Sequence, residues 1–166
     1  MSGSHQPISS VLMPMQQRPL LIPSACIAGI QDYSRPEQNY PETEWLLGDL
    51  SWRGMKIPVV SFERLNKGRF AEFSATNRIA IMHRTDKNDD LSFYAMVVQG
   101  VPQPLKLVRE EVRNSAEEKG PMEKYRVILR DVPASIPDLS LLEQKISEVI
   151  SGNKLETAHE TEEMCE

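Results

Sequence analysis

Few residues in this chain are of the types that carry chemistry. There are three histidines; His5 and His159 lie near the ends, and His83 precedes Asp86, Asp89 and Asp90. A histidine beside carboxylates suits acid–base work or a metal ion. One usable imidazole supplies too few ligands for such a metal, however, and a solvated strand end beside a turn accounts for the same residues. The stretch "DKNDD" (86–90) opens like a calcium loop, but Leu91 stands where the turn glycine belongs and Val97 where the bidentate glutamate belongs. Cys26 sits in an apolar run, where a packed thiol is the ordinary outcome. The sequence holds no G-x-S-x-G, G-x-G-x-x-G or Walker loop. No catalytic cluster, metal set or cofactor motif is therefore expected.

The segment "LLGDLSWRGMKIPVVSFERL" (46–65) is more unusual, because Trp52, Arg53 and Gly54 interrupt an otherwise apolar ladder. With 48–53 as a strand, Leu50 and Trp52 point one way and Ser51 and Arg53 the other. Gly54 then permits a positive φ or a sharp bend before the next strand. Full burial of Trp52 would contribute up to about 4–6 kcal/mol. Arg53 keeps its charge in any environment, so it is expected to find a carboxylate or carbonyl partner.

The elements that must position these residues are short and mostly alternating. "VLMPM" (11–15) and "PLLIP" (19–23) flank polar "QQR" and read as a hairpin, with Pro14 demoting the first strand to an edge. "SACIAGI" (24–30) fits a short helical turn or a strand, and 31–44 reads as loop. Strands are expected over 45–52, 55–62, 77–84 and 91–99, the last with Leu91, Phe93, Ala95 and Val97 on one face and "TDKNDD" (85–90) as the turn before it. Further strands are expected at 103–108 and 123–132, separated by a charged segment, 109–121, that fits one helical turn or a mobile loop. One helix, 138–152, carries Leu142, Ile146, Val149 and Ile150 at helical spacing, with Ser140 and Glu143 as a capping box and Gly152 as the C′ stop. Many short strands with one terminal helix predict an all-β, barrel-like domain.

A chain of 166 residues fits one domain and needs no disulfide or structural metal to bury a core. Of the net charge of −5, the tail 153–166 carries −4, which leaves about −1 on the body. A near-neutral body offers no footprint for phosphate backbones, so nucleic acid is excluded as a partner. Residues 1–7 and the acidic tail 152–166 are expected to be disordered, flanking a folded domain at 8–151. Two cysteines make no disulfide framework, the start lacks a secretory pattern, and no apolar run is long enough to insert in a membrane. These features predict a soluble, cytoplasmic protein.

"TEWLLGDLSWRGMKIPVVSFERL" (43–65) resembles the signature of CheW-like adaptor domains, an "hhGh-NLRG-hhhPhhDL" pattern in which h is apolar. "RPLLIPSACIAGI" (18–30) is similar to the family's strand and "h-x-EI" element, and 78–107 to its paired strands and "VDxV" turn. The resemblance implies two small five-stranded, SH3-like β-barrels sharing a core, with a C-terminal helix, no catalysis and no cofactor. It implies an adaptor between the cytoplasmic tip of a methyl-accepting chemoreceptor and the regulatory domain of a CheA-type histidine kinase, recruited to membrane-associated arrays. On this resemblance Trp52 and Arg53 form a partner-facing turn, Ile27 and Ile30 line the receptor side, and Ile57, Val98, Gly100 and Val101 are edge contacts. The chain departs from the pattern at Ser51–Trp52, in place of asparagine–leucine, at Gly29, in place of the "h-x-EI" glutamate, and at Gln99, in place of the "VDxV" aspartate. Its W-R-G form and short length most resemble accessory members that serve type IV pili and twitching motility. Two other readings stay open: a scaffold holding the kinase alone, and a small β-barrel enzyme or ligand-binding domain.

Overall fold

The computed structural model describes residues 6–67, 76–85 and 91–164, with side chains described as far as Gly152. In chain order the strands are β1 (Ile8–Met13), β2 (Leu20–Pro23), β3 (Ile27–Asp32), β4 (Leu46–Trp52), β5 (Met55–Val60), β6 (Arg78–His83), β7 (Phe93–Val98), β8 (Gln103–Leu107), β9 (Val112–Asn114), β10 (Glu123–Leu129) and β11 (Val132–Pro137). A one-turn helix, α1 (Phe62–Leu65), follows β5, and α2 (Leu139–Met164) ends the chain. The strands form a six-stranded sheet, β8-β1-β2-β11-β10-β9, and a five-stranded sheet, β3-β6-β7-β5-β4. The first sheet takes its strands from both ends of the chain, and the second is built from the middle. One sheet thus has six strands where five are expected, the short β9 being the addition.

Alternation sets which core each side chain enters. In β6, Ile79 and Ile81 face the interior of the second barrel with Leu50, Ile57, Val59, Ala95 and Val97. Ala80 and Met82, between them in sequence, face a core shared by both sheets and α2, alongside Met13, Leu20, Ile22, Leu46, Tyr94, Leu142 and Ile146. A third cluster, Leu21, Leu107 and Leu129, fills the first barrel. Leu91 departs from expectation: it precedes β7 and joins the shared core, whereas Phe93, Ala95 and Val97 face the second barrel.

The hairpin of β1 and β2 forms as expected, with Met13 opposite Leu20. Pro14 lies just past β1 and costs no ladder bond, so β1 is an interior strand between β2 and β8 rather than an edge. "SACIAGI" uses both of its open readings, a 3₁₀ turn at Ser24–Cys26 and then β3. The charged segment after β8 likewise makes a 3₁₀ turn, Arg109–Glu111, and then β9. The expected single strand 123–132 is two: Arg130 and Asp131 have φ of 45° and 70°, making a two-residue turn that brings Leu129 opposite Val132.

Helix α2 is capped differently from expectation. Asp138 Oδ1 accepts from the Leu141 N–H at 3.1 Å, so Asp138 is the cap and Ser140 lies inside the first turn. Glu143, freed from capping, is buried and accepts from the Thr85 N–H at 2.7 Å, Thr85 Oγ1 at 2.9 Å and the Tyr94 hydroxyl at 3.0 Å. Burial and the Glu143 charge push the Tyr94 hydroxyl well above its ordinary pKa. The expected stop at Gly152 is absent, and α2 continues to Met164. A helical glycine costs only about 1 kcal/mol relative to alanine, and no proline follows to end the helix. The "DKNDD" stretch, residues 1–5 and the side chains of the acidic tail lie outside the described residues.

Gly48, at φ 142°, sits where the chain passes close to the loop before β4: Glu37 and Asp49 exchange backbone hydrogen bonds of 2.9 and 2.8 Å. A Cβ on Gly48 would lie 2.2 Å from the Glu37 carbonyl oxygen. Gly48→Ala is expected to lower stability by about 2 kcal/mol or more, read as a shifted urea midpoint.

In the first barrel, Glu123 is buried beneath Arg126, whose Nε lies 3.1 Å from it. Burial alone would raise its pKa, but hydrogen bonds from Ser135 Oγ, Arg126 and the Gly120 N–H outweigh it and hold the carboxyl below its usual range. A depressed folded pKa means the unfolded chain binds the proton more readily. The stabilisation is therefore complete above the ordinary pKa of 4.5 and is lost as pH falls through the folded value. Glu123→Gln should cost about 3 kcal/mol at neutral pH and flatten the acid limb of a stability–pH profile below about 4.5.

Candidate functional site

The interruption at Trp52–Gly54 is a hairpin turn. Trp52 pairs with Met55, and the two residues between them both adopt left-handed backbone, Arg53 at φ 48° and Gly54 at φ 77°. Such a turn matches the twist of its strands but disfavours residues with a Cβ. At Gly54 a Cβ would meet nothing within 4 Å, so glycine is needed there for conformation and not for space.

The turn sets the arginine over an aromatic face. The Arg53 guanidinium carbon lies 4.6 Å from the Trp52 ring centroid, a cation–π contact worth about 0.5–1 kcal/mol at an exposed site. The Trp52 ring lies 4.9 Å from Phe93, and Phe93 lies 5.4 Å from His83, all tilted. Trp52 and Phe93 rest on the second-barrel core, which fixes the platform from below. The carboxylate or carbonyl partner expected for Arg53 is replaced by this ring, and among the described residues no carboxylate pairs with it. Trp52 is half-buried rather than buried, because one face is open to carry the cation. His83 serves as the outer member of an aromatic row, and the described residues hold no group of three metal-ligating side chains.

The other expected site residues fall in several places. Ile27 and Ile30 lie on β3, at the opposite edge of the sheet order from the turn; Ile27 packs on the shared core and Ile30 is 42% exposed. Gly100 follows β7 against Pro14, and Val101 is 69% exposed. Ile57 and Val98 are 2% and 0% exposed, with side chains in the two cores, and Ile57 also lines an open groove beside Lys56 and Phe93. At Gly29 a Cβ would meet nothing within 4 Å, so packing does not demand the loss of the expected glutamate. Sequence reasoning missed Phe93 and Met55 as members of the turn's surface. Met55, 38% exposed, was recoverable as the residue across the hairpin from Trp52.

The CheW-like domain model matches residues 9–146. The chain belongs to the CheW-like domain family. Among solved structures, the scaffolding protein TtCheW from Thermoanaerobacter tengcongensis superposes with a TM-score of 0.69, covering 86% of this chain and 92% of that one at 14% identity. At that identity the likeness is one of fold, and it agrees with the expected pair of small barrels and C-terminal helix. No curated protein matches the sequence. Among the described residues of this CheW-like domain, no helix is long and apolar enough to cross a membrane.

Gly54→Val should destabilise the domain by about 1–3 kcal/mol, whereas Gly54→Asn, which tolerates left-handed backbone, should cost less. Thermal melts of both variants check this ordering, with about 2–4 °C expected per kcal/mol in a chain of this size.

Proposed function

We propose that this CheW-like domain is a non-enzymatic adaptor that couples the cytoplasmic tip of a methyl-accepting chemoreceptor to the regulatory domain of a CheA-type histidine kinase. The observation that carries the reading is the turn at Trp52–Gly54: within a family match spanning most of the chain, it holds a cation rigidly at the surface on an aromatic platform. Such fixed arginine–aromatic groups are typical anchors of protein interfaces. TtCheW, which shares the fold, is a scaffolding protein, in agreement with this reading. In this role Trp52, Arg53, Gly100 and Val101 meet partner barrels, and Ile27 and Ile30 face the receptor helix. The protein then sits on the cytoplasmic side, in membrane-associated arrays.

Within the family, the W-R-G form and short chain support a narrower assignment, to accessory proteins like ChpC in the chemosensory system that governs type IV pili and twitching motility. Gly29, which leaves the receptor side without the family's glutamate, favours a second reading, a scaffold that holds the kinase and binds the receptor weakly.

Arg53→Glu should weaken capture of the kinase regulatory domain or of the receptor tip by at least about 1 kcal/mol, roughly fivefold in Kd, with an unchanged melting temperature. Calorimetric titration with each partner separately, and with the receptor tip as competitor, distinguishes the coupling and kinase-only readings. Binding of neither at micromolar concentration overturns both.

A further inference from the structure

Two arginines from different parts of the first barrel meet at one oxygen atom. Arg18, in the turn between β1 and β2, brings Nη1 to 2.9 Å from Glu117 Oε2, and Arg126 of β10 brings its own Nη1 to 3.2 Å from the same oxygen. Neither guanidinium depends on Glu117 for its place. Arg18 donates from Nε to Ser135 Oγ at 3.2 Å and from Nη2 to the Ala134 and Val127 carbonyls at 3.1 and 3.4 Å. Arg126 Nε donates to the buried Glu123 at 3.1 Å. The two side chains are only 16% and 22% exposed. The carboxylate between them is 57% exposed and comes from the loop joining β9 and β10. That loop is fastened at Ser115, whose N–H bonds the Arg126 carbonyl, and at Gly120, whose carbonyl accepts from the Glu123 N–H; residues 116–119 between them are exposed. The cations are fixed by the barrel, while their anion rides on an exposed loop. With Glu117 set aside, two cations and the Glu123 carboxylate leave one positive charge unbalanced. Glu63, the other carboxylate at the adjoining cleft, has its two oxygens turned to the Gln16 N–H and to Gln99 Nε2. The cleft itself, about 30 Å³ beside both arginines, has room for an oxygen-sized group.

We propose that Arg18 and Arg126 form a docking site for an acidic side chain of a partner protein, and that Glu117 is its resident stand-in, displaced when the partner binds. One unbalanced charge suits a singly charged carboxylate better than a phosphate dianion, and the presence of Glu117 shows which chemistry the two guanidinium groups accept. Exchange replaces two charge-assisted bonds with two of the same kind, so it is driven only by a partner that adds contacts of its own. The inference goes beyond the adaptor reading, because the site lies on the first barrel and the Trp52–Gly54 turn on the second.

The test compares the full chain with its Glu117→Ala variant by following arginine Nε–H resonances. The probes are the blocked peptide acetyl-Gly-Glu-Gly-amide, its Gln counterpart and inorganic phosphate, at constant ionic strength. Glu117→Ala should bind the Glu peptide at about millimolar Kd, with shifts at both Arg18 and Arg126, and at least fivefold more tightly than the unaltered chain does. The Gln peptide should shift neither resonance. The same ordering is expected of Glu117→Gln, which keeps the length of the side chain and loses its charge, so a poorly folded alanine variant does not decide the matter. Phosphate bound more tightly than the Glu peptide overturns the carboxylate assignment, and equal binding by variant and unaltered chain overturns the stand-in role. No shift at tens of millimolar peptide overturns the site as a whole and leaves Glu117 a structural tie for its loop. The assay contains neither kinase nor receptor, so its failure leaves the adaptor reading standing, and loss of kinase capture leaves the arginine site standing.

Discussion

Strands β6 and β7 stand between two interiors, and this double burial governs the rest of the molecule. Ile79, Ile81, Ala95 and Val97 close one barrel from inside, and Ala80, Met82, Tyr94 and Met96 close the core shared with the other sheet and the helix. A strand with two apolar faces leaves little room for titratable groups, and the Tyr94–Glu143 pair is what β7 holds in the shared core. Chemistry of recognition is displaced to the margins, to turns such as Arg53–Gly54 and to strand ends such as Val101, where backbone and side chains reach solvent.

Polar groups that do enter the shared core are there to fix its parts relative to one another. Glu143 is the clearest: a carboxylate from the helix accepts from the Thr85 N–H and hydroxyl beyond β6 and from the Tyr94 hydroxyl in β7. A buried charge so satisfied adds little net stability over an apolar residue, but it admits only one rotation of the helix against the sheet. Glu123 acts similarly in the first barrel, tying Ser135 of β11 to Arg126 of β10. Directional bonds thus supply the register that greasy contacts alone would leave loose.

How much of this was legible in the sequence depends on whether the deciding force is local. The strands over 46–60 and 78–98 were readable because alternation is local, and the Trp52–Gly54 turn because glycine marks left-handed backbone. The Arg130–Asp131 turn was not, since it puts two side-chain-bearing residues in that same conformation and carries no glycine signal. Asp138 and Ser140 are equally good caps by type, and the choice fell to Asp138 once tertiary donors claimed Glu143. Within the site, Arg53 and Trp52 could be named from residue type, but their contact with Phe93 and the burial of Ile57 and Val98 arise from strands that meet only in three dimensions.

The first sheet is assembled from the two ends of the chain, with β2 and β11 as parallel neighbours and the entire second sheet inserted between them in sequence. During synthesis on the ribosome, the opening hairpin emerges long before the strands that will flank it. The middle of the chain holds every strand of its own sheet by residue 98, so it can close while the rest is still unborn. The hairpin must wait, its apolar face uncovered, until the last third arrives and shuts both loops at once. A premature halt in translation after the second barrel would thus release a half-molecule that is ordered at one end and adhesive at the other.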